Sequence, residues 1–209
     1  MPKVVDVEQR RAVIVEAVFR LVASGGVEAA SLRNVAAEAG LNIGSVRHYF
    51  VSHDALLLAA TEEMARRVTV RMEAHGSRLA EAFEAGDERR MGDVIFALFA
   101  ELLPLDEQRR VECGVWMAFT ERARVSLDLR EAADQMHREV IRLTSNLLLG
   151  AGVPDAEDRA AALTIGVDGL TLAGLSWPED YPPEKQQRLL GLLLRQAFGG
   201  ATALEGHTP

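Results

Sequence analysis

Cysteine is nearly absent from this chain. Cys113 is the single one in 209 residues, which excludes an intrachain disulfide and any cysteine-rich zinc site. Aromatic residues are scarce too, at 5%, while hydrophobic residues as a whole reach 48% and are mostly Ala, Leu and Val. Ala and Leu propagate helix, whereas β-branched and aromatic runs mark strands, so the composition favours an all-helical protein. No apolar run reaches the roughly 18 residues that a membrane-spanning helix needs. The longest candidate, Ala160 to Leu175, is broken by Asp168 and three glycines. The opening MPKVVDVEQRR lacks the apolar core of a signal peptide. A reduced, cytoplasmic location is the expectation, with no membrane partner.

Catalytic signatures are missing as well. There is no phosphate-binding GxxxxGK[ST] loop, no GxSxG elbow and no HExxH pair. His48, His53, His75, His137 and His207 are scattered. Asp134 and His137 have the i, i+3 spacing of di-iron ligands, but such sites need a second pair and further inward glutamates. Solvated helix residues are the better reading of the two. No catalytic residue, metal site or cofactor is implied.

Formal net charge is −8, but its distribution says more than the total. Residues 1–53 hold six basic side chains (Lys3, Arg10, Arg11, Arg20, Arg33, Arg47) against five acidic ones. The remainder is left with 17 basic and 26 acidic residues. A near-neutral head therefore precedes an acidic body.

Helical periodicity dominates throughout, and roughly nine or ten helices are expected. Ile14, Val18, Leu21 and Val22 share one face of a helix from Val7 to Ala23, stopped by Gly25-Gly26. Ser31 caps a short helix, Leu32 to Ala39, ended by Gly40, and Asn42 caps another, Ile43 to Phe50. Asp54 lies in the first turn of a helix running to about Ala74, where its charge suits the dipole. The body continues with helices at Ser77–Ala85, Met91–Leu103, Asp106–Ser126, Leu129–Leu149, Asp155–Leu175 and Glu184–Phe198, and a tail at 200–209 that reads as disordered.

Ser31 to Phe50, SLRNVAAEAGLNIGSVRHYF, is the informative window. Two short helices meeting at a tight turn need a small residue where they touch, a residue tolerant of positive φ at the turn, and apolar anchors beneath the second helix. Ala36, Gly40, and the set Leu41, Val46 and Phe50 meet these demands, with Leu32 and Val35 below. With its flanks, ASLRNVAAEAGLNIGSVRHYFVSHDALL resembles the recognition block of the TetR family of transcriptional regulators. Gly44-Ser45-Val46-Arg47-His48-Tyr49-Phe50 matches the family's recognition helix, and Ser52-His53-Asp54-Ala55-Leu56-Leu57 stands where its fourth helix opens. The body, through RRVECGVWMAFTERARVSLDLREAADQMHREV and VDGLTLAGL, resembles the BetI-like branch.

The resemblance implies an N-terminal three-helix helix-turn-helix head at 1–53 and an effector-binding and dimerisation body at 54–199. It places Ser31 and Arg33 on DNA phosphates, Ile43, Gly44, Ser45 and Arg47 in the major groove, and Tyr49 and His53 on the backbone. Val46 and Phe50 would be core. Three positions depart from the family pattern. Arg47 stands where an aromatic is usual, and either pairs with a guanine edge or holds a phosphate. His53 replaces a frequent lysine, which would make that phosphate contact pH-dependent. Val51 is apolar where a polar residue is common.

The helices 155–175 and 184–198 are more apolar than one buried face requires, with Gly166, Gly169, Ala173 and Gly174 permitting close approach. The resemblance makes them a homodimer interface; burial within one subunit is the alternative. Phe96, Phe99, Trp116, Met117 and Phe119 either line an effector cavity or are plain core. Glu121 and Asp168 beside Trp116 and Phe119 could hold a quaternary ammonium, although Asp168 could equally serve helix packing. Cys113 is either a small buried hydrophobe or a redox sensor. The expected function is a repressor of double-stranded operator DNA, released by an unidentified small molecule. The rival is an all-helical binding protein or enzyme without DNA binding, which leaves Ser31 to Asp54 unexplained.

Overall fold

A computed structural model describes residues 7–199. The tail at 200–209, expected to be disordered, lies outside the described residues. Among those described there are nine α-helices and no strands: α1 (Val7–Gly25), α2 (Leu32–Glu38), α3 (Ile43–Tyr49), α4 (His53–Glu84), α5 (Glu88–Ala100), α6 (Glu107–Ala123), α7 (Leu127–Gly150), α8 (Ala156–Ser176) and α9 (Pro183–Phe198). A single 3-10 turn, Val27–Ala29, joins α1 to α2. None of these helices is long and apolar enough to cross a membrane.

One expected boundary is absent. The helices read as His53 to Ala74 and Ser77 to Ala85 are one 32-residue rod, α4. Gly76 costs a helix only about 1 kcal/mol relative to Ala, and the Ser77 hydroxyl donates back to the Glu73 carbonyl at 3.3 Å. Neither residue frees enough backbone to end the helix.

The chain forms two compact units. The first takes in the residues up to Arg66 together with Arg110–Ala133. Ile14, Val18, Phe19 and Val22 of α1, Val35 and Ala36 of α2, Val46 and Phe50, Leu56 and Ala60 of α4, and Val115 and Phe119 of α6 are buried in it. Helix α6 approaches α1 closely: a Cβ at Gly114 would lie 3.3 Å from Val22 Cγ1. The boundary expected at 53/54 thus falls inside this unit.

The second unit comprises Arg67–Arg109 and the chain from Asp134. Its core joins Phe99 and Leu103, Leu148, Leu163 and Val167 of α8, and Leu190, Leu194 and Phe198 of α9. Each fully buried Leu or Phe contributes about 1.5–3 kcal/mol. The Arg159 guanidinium, near the start of α8, donates to the Gln196 and Ala197 carbonyls at 3.1 and 3.0 Å. Those carbonyls belong to the last turn of α9 and have no partner within their own helix, so this contact closes the α8–α9 pair. The Thr171 hydroxyl donates to the Leu102 carbonyl at 2.9 Å, fixing α8 against the segment that follows α5.

Candidate nucleic-acid interface

The two short helices of the first unit are each started by a side-chain cap. Ser31 Oγ accepts from the Asn34 N–H at 3.3 Å, and Asn42 Oδ1 accepts from the Ser45 N–H at 2.8 Å. Between them the chain reverses through a paired hydrogen bond. The Gly40 N–H donates to the Ala37 carbonyl at 3.1 Å and the Leu41 N–H to the Ala36 carbonyl at 2.8 Å. That is the Schellman arrangement, which requires a left-handed residue just past the helix end, and Gly40 has φ +66°. The same pair of bonds closes α4 at Gly86 and α7 at Gly152.

The expected anchors are buried to different degrees. Val35 and Val46 are fully buried, Ala36 and Phe50 nearly so, and Leu32 and Leu41 are half-buried. Helix α1 also clasps the far end of α3. The Arg11 guanidinium donates to the Tyr49 carbonyl at 3.0 Å and stacks 4.5 Å over the Phe50 ring. Arg20 of α1 pairs with Glu38 at the end of α2 at 2.6 Å. No periodicity marks Arg11 or Arg20 for these tasks, because each partner is brought to it only by packing.

With α3 held from beneath and from its C-terminal end, the outward surface is left open. Ser31, Arg33, Ile43, Gly44, Arg47 and His53 are exposed, and Ser45 and Tyr49 are half-buried. Among the described residues, the side chains of Arg33 and Arg47 form no hydrogen bond or ion pair within the subunit. Gly44 keeps the cap intact: a Cβ there would sit 3.2 Å from Asn42 Oδ1. The His48 and Tyr49 rings meet edge to face, with centroids 5.3 Å apart.

Asp54, expected only to suit the helix dipole, does more. The cap of α4 is Ser52, whose hydroxyl accepts from the Ala55 N–H at 3.0 Å. The Asp54 carboxylate turns instead to Arg122 and Ser126. The Arg122 guanidinium holds its carboxyl below the usual range, against the opposing effect of burial and with help from Ser126. Sequence spacing gave no signal for this contact, because the partners are some 70 residues apart.

The residues nominated for an effector site fall in separate units. Phe96, Phe99 and Asp168 belong to the second unit, where Phe99 is buried, Phe96 packs against the core and Asp168 is exposed. Trp116, Met117, Phe119 and Glu121 belong to the first, where Phe119 is fully buried and its ring lies 6.1 Å from that of Trp116. Glu121 is exposed and pairs with Arg124 at 3.1 Å. Cys113 is buried. The second unit carries an open groove of about 650 Å³ bordered by His137, Arg138, Ile141 and Arg142 of α7 and by Glu157 and Ile165 of α8. None of the nominated residues lines it.

A capped seven-residue helix, set off from the one before it by a Schellman turn and open along one face, has the geometry of a helix-turn-helix, an element by which proteins bind DNA. Two family models match the chain: the tetR family of bacterial regulatory proteins over residues 14–60, and the C-terminal region of BetI-type transcriptional repressors over 92–199. The HTH-type transcriptional regulator PksA of Bacillus subtilis (strain 168) is 32% identical over 91% of this chain and 90% of its own. A transcriptional regulator from Rhodococcus sp. Rha1 superposes with a TM-score of 0.75 at 35% identity, covering 91% of this chain and 96% of that one. The multidrug binding protein EbrR, crystallised with imidazole, gives 0.57 at 26% identity over 88% and 94%. The chain belongs to the TetR family of transcriptional regulators. Regulators of this family bind DNA and act as dimers.

Proposed function

We propose that this regulator is a cytoplasmic, dimeric repressor whose α3 reads one half of a pseudo-palindromic operator and which a small molecule releases. The observation that carries the reading is the open face of α3. Arg47 is exposed and has no partner among the described residues, on a helix whose Val46 is fully buried and whose last carbonyl is held by Arg11. In this reading Ser31 and Arg33 grip phosphates at the start of α2, Ile43, Gly44, Ser45 and Arg47 enter the major groove, and Tyr49 and His53 touch the backbone. Residues up to 53 act as the reading head, and 54–199 serve effector binding and dimerisation.

A single recognition helix covers too few base pairs for specificity, so a second copy is needed. Helices α8 and α9 are the proposed interface. Ile165 and Leu172 of α8 are 68% and 44% exposed within one subunit, and Leu192 of α9 is 55% exposed. Two heads would engage half-sites about 34–36 Å apart. An effector that favours another spacing weakens binding by its difference in affinity for the two states; tenfold takes about 1.4 kcal/mol. The crystallisation of EbrR with imidazole supports a small-molecule effector.

Selection from a random duplex pool followed by gel shift tests the reading. The wild type enriches a two-fold-related site. Arg47→Ala loses the preference for it, by about 1–3 kcal/mol if the guanidinium pairs with a guanine edge, while helicity and self-association stay intact. Unchanged discrimination in that variant refutes the role given to Arg47.

A further inference from the structure

The contact between α4 and the α6–α7 turn is more elaborate than helix packing requires. Asp54 is the second residue of α4, and Ser52 already caps that helix. Its carboxylate is therefore free for other partners, and it takes three hydrogen bonds from one short stretch of chain. Arg122 donates in a two-pronged fork, Nε to Oδ1 at 2.8 Å and Nη2 to Oδ2 at 3.1 Å, and Ser126 Oγ donates to Oδ2 at 2.7 Å. The stretch is itself pinned. The Ser126 N–H donates to the Arg122 carbonyl at 3.0 Å, and Arg130 of α7 donates to the Ala123 and Arg124 carbonyls at 3.1 and 2.8 Å. Behind it, Gly114 seats α6 against Val22 of α1.

This clasp lies four residues beyond Phe50, whose N–H closes the last turn of α3 on the Val46 carbonyl. His53 is its immediate neighbour. Rotation of the first turn of α4 therefore moves His53 and the end of the recognition helix together.

The geometry points to Arg122 and Ser126 as positioning residues for DNA binding: by gripping Asp54 they fix the first turn of α4 and so set the pitch at which α3 meets the groove. The inference rests on the DNA-reading function proposed above. It extends the DNA-binding machinery to residues far outside the helix-turn-helix window, which never touch DNA themselves.

The test uses the full chain and the duplex enriched by the wild type. Asp54→Asn keeps the size of the side chain and loses its charge. Arg122→Lys keeps the charge and loses the fork. Melting and sedimentation establish that each variant is folded and self-associated as the wild type is. About tenfold weaker operator binding in both, with binding to random DNA unchanged, supports the inference. So does an Asp54→Asn/Arg122→Ala double variant no weaker than Asp54→Asn alone, because the two groups then act as one unit. Ser126→Thr, which keeps the hydroxyl, binds better than Ser126→Ala. Wild-type operator affinity in Asp54→Asn overturns the inference, and so do losses that multiply in the double variant. A direct phosphate contact by Arg122 would instead lower the salt dependence of Arg122→Ala by about one charge and leave Asp54→Asn unaffected, which also overturns it. A wild type that enriches no site refutes the DNA-reading function, and this inference with it.

Discussion

Replacing Gly40 by Ala isolates the backbone cost of the turn that separates α2 from α3. Gly40 has φ +66°, and a Cβ built on it meets nothing within 4 Å. The substitution therefore carries no steric clash, only left-handed strain, which costs an L residue about 1–2 kcal/mol. The stiffer unfolded chain returns about 0.4–1 kcal/mol of that. A net loss of about 1 kcal/mol remains, which lowers the melting temperature of a protein of this length by roughly 2–4 °C. Asn tolerates the left-handed region, so Gly40→Asn melts between Ala and the wild type. A domain stable by several kcal/mol stays folded after such a loss, so affinity for the selected duplex at 25 °C changes by less than about twofold by the same arithmetic. Thermal melting monitored by circular dichroism, with gel shift in parallel, checks both variants against the wild type. An unchanged melting temperature in Gly40→Ala refutes the strain argument. A loss above about 3 kcal/mol, beyond the strain range, refutes the claim that the position is sterically open.

Gly174→Ala should destabilise by about 1–3 kcal/mol through overpacking. Its Cβ would lie 2.6 Å from Nε2 of the fully buried Gln186, which is held by its bond to the Tyr181 carbonyl. Melting checks it, and a neutral result contradicts the packing described for α8 and α9. Gly169 is exposed and a Cβ built on it meets nothing within 4 Å, so in Gly169→Leu the fold should persist while sedimentation shows loss of self-association; an intact dimer removes α8 from the proposed interface. Glu101 is subject to the raising effect of burial, but hydrogen bonds from Arg71 at 2.7 Å and His75 at 3.3 Å outweigh it and lower its pKa. A lowered carboxylate stabilises the fold above its unfolded value and loses that contribution as pH falls through the folded one. Melting temperature should therefore decline with acid more steeply in the wild type than in Glu101→Gln, and parallel declines would show that Glu101 is not responsible.

Much of the head was legible because its signals are local. Ser31 and Asn42 announce caps, Gly25-Gly26 and Gly40 announce stops, and Val46 of the seven-residue helix α3 and Phe50 just past its end are both buried. Each follows from spacing within one turn. The merged helix α4 shows where the same logic fails: Gly76-Ser77 carries the marks of a boundary, yet the helix continues, because a single glycine costs only about 1 kcal/mol and the Ala, Glu, Arg and Leu residues around it favour helix. The effector residues were harder still. Trp116 and Phe99 read alike as aromatic positions on central helices, and sequence spacing contains nothing that assigns them to different units.

The sequence by itself determined the all-helical class, the two caps and the glycine turn that projects α3, since each depends on the intrinsic preferences of neighbouring residues. Tertiary structure alone decided that Arg11 ties down the end of α3, that Arg159 closes the last turn of α9, and that Asp54 faces Arg122 and Ser126. Those contacts join groups 37 to 72 residues apart, and only the packing of whole helices brings such partners within hydrogen-bonding distance.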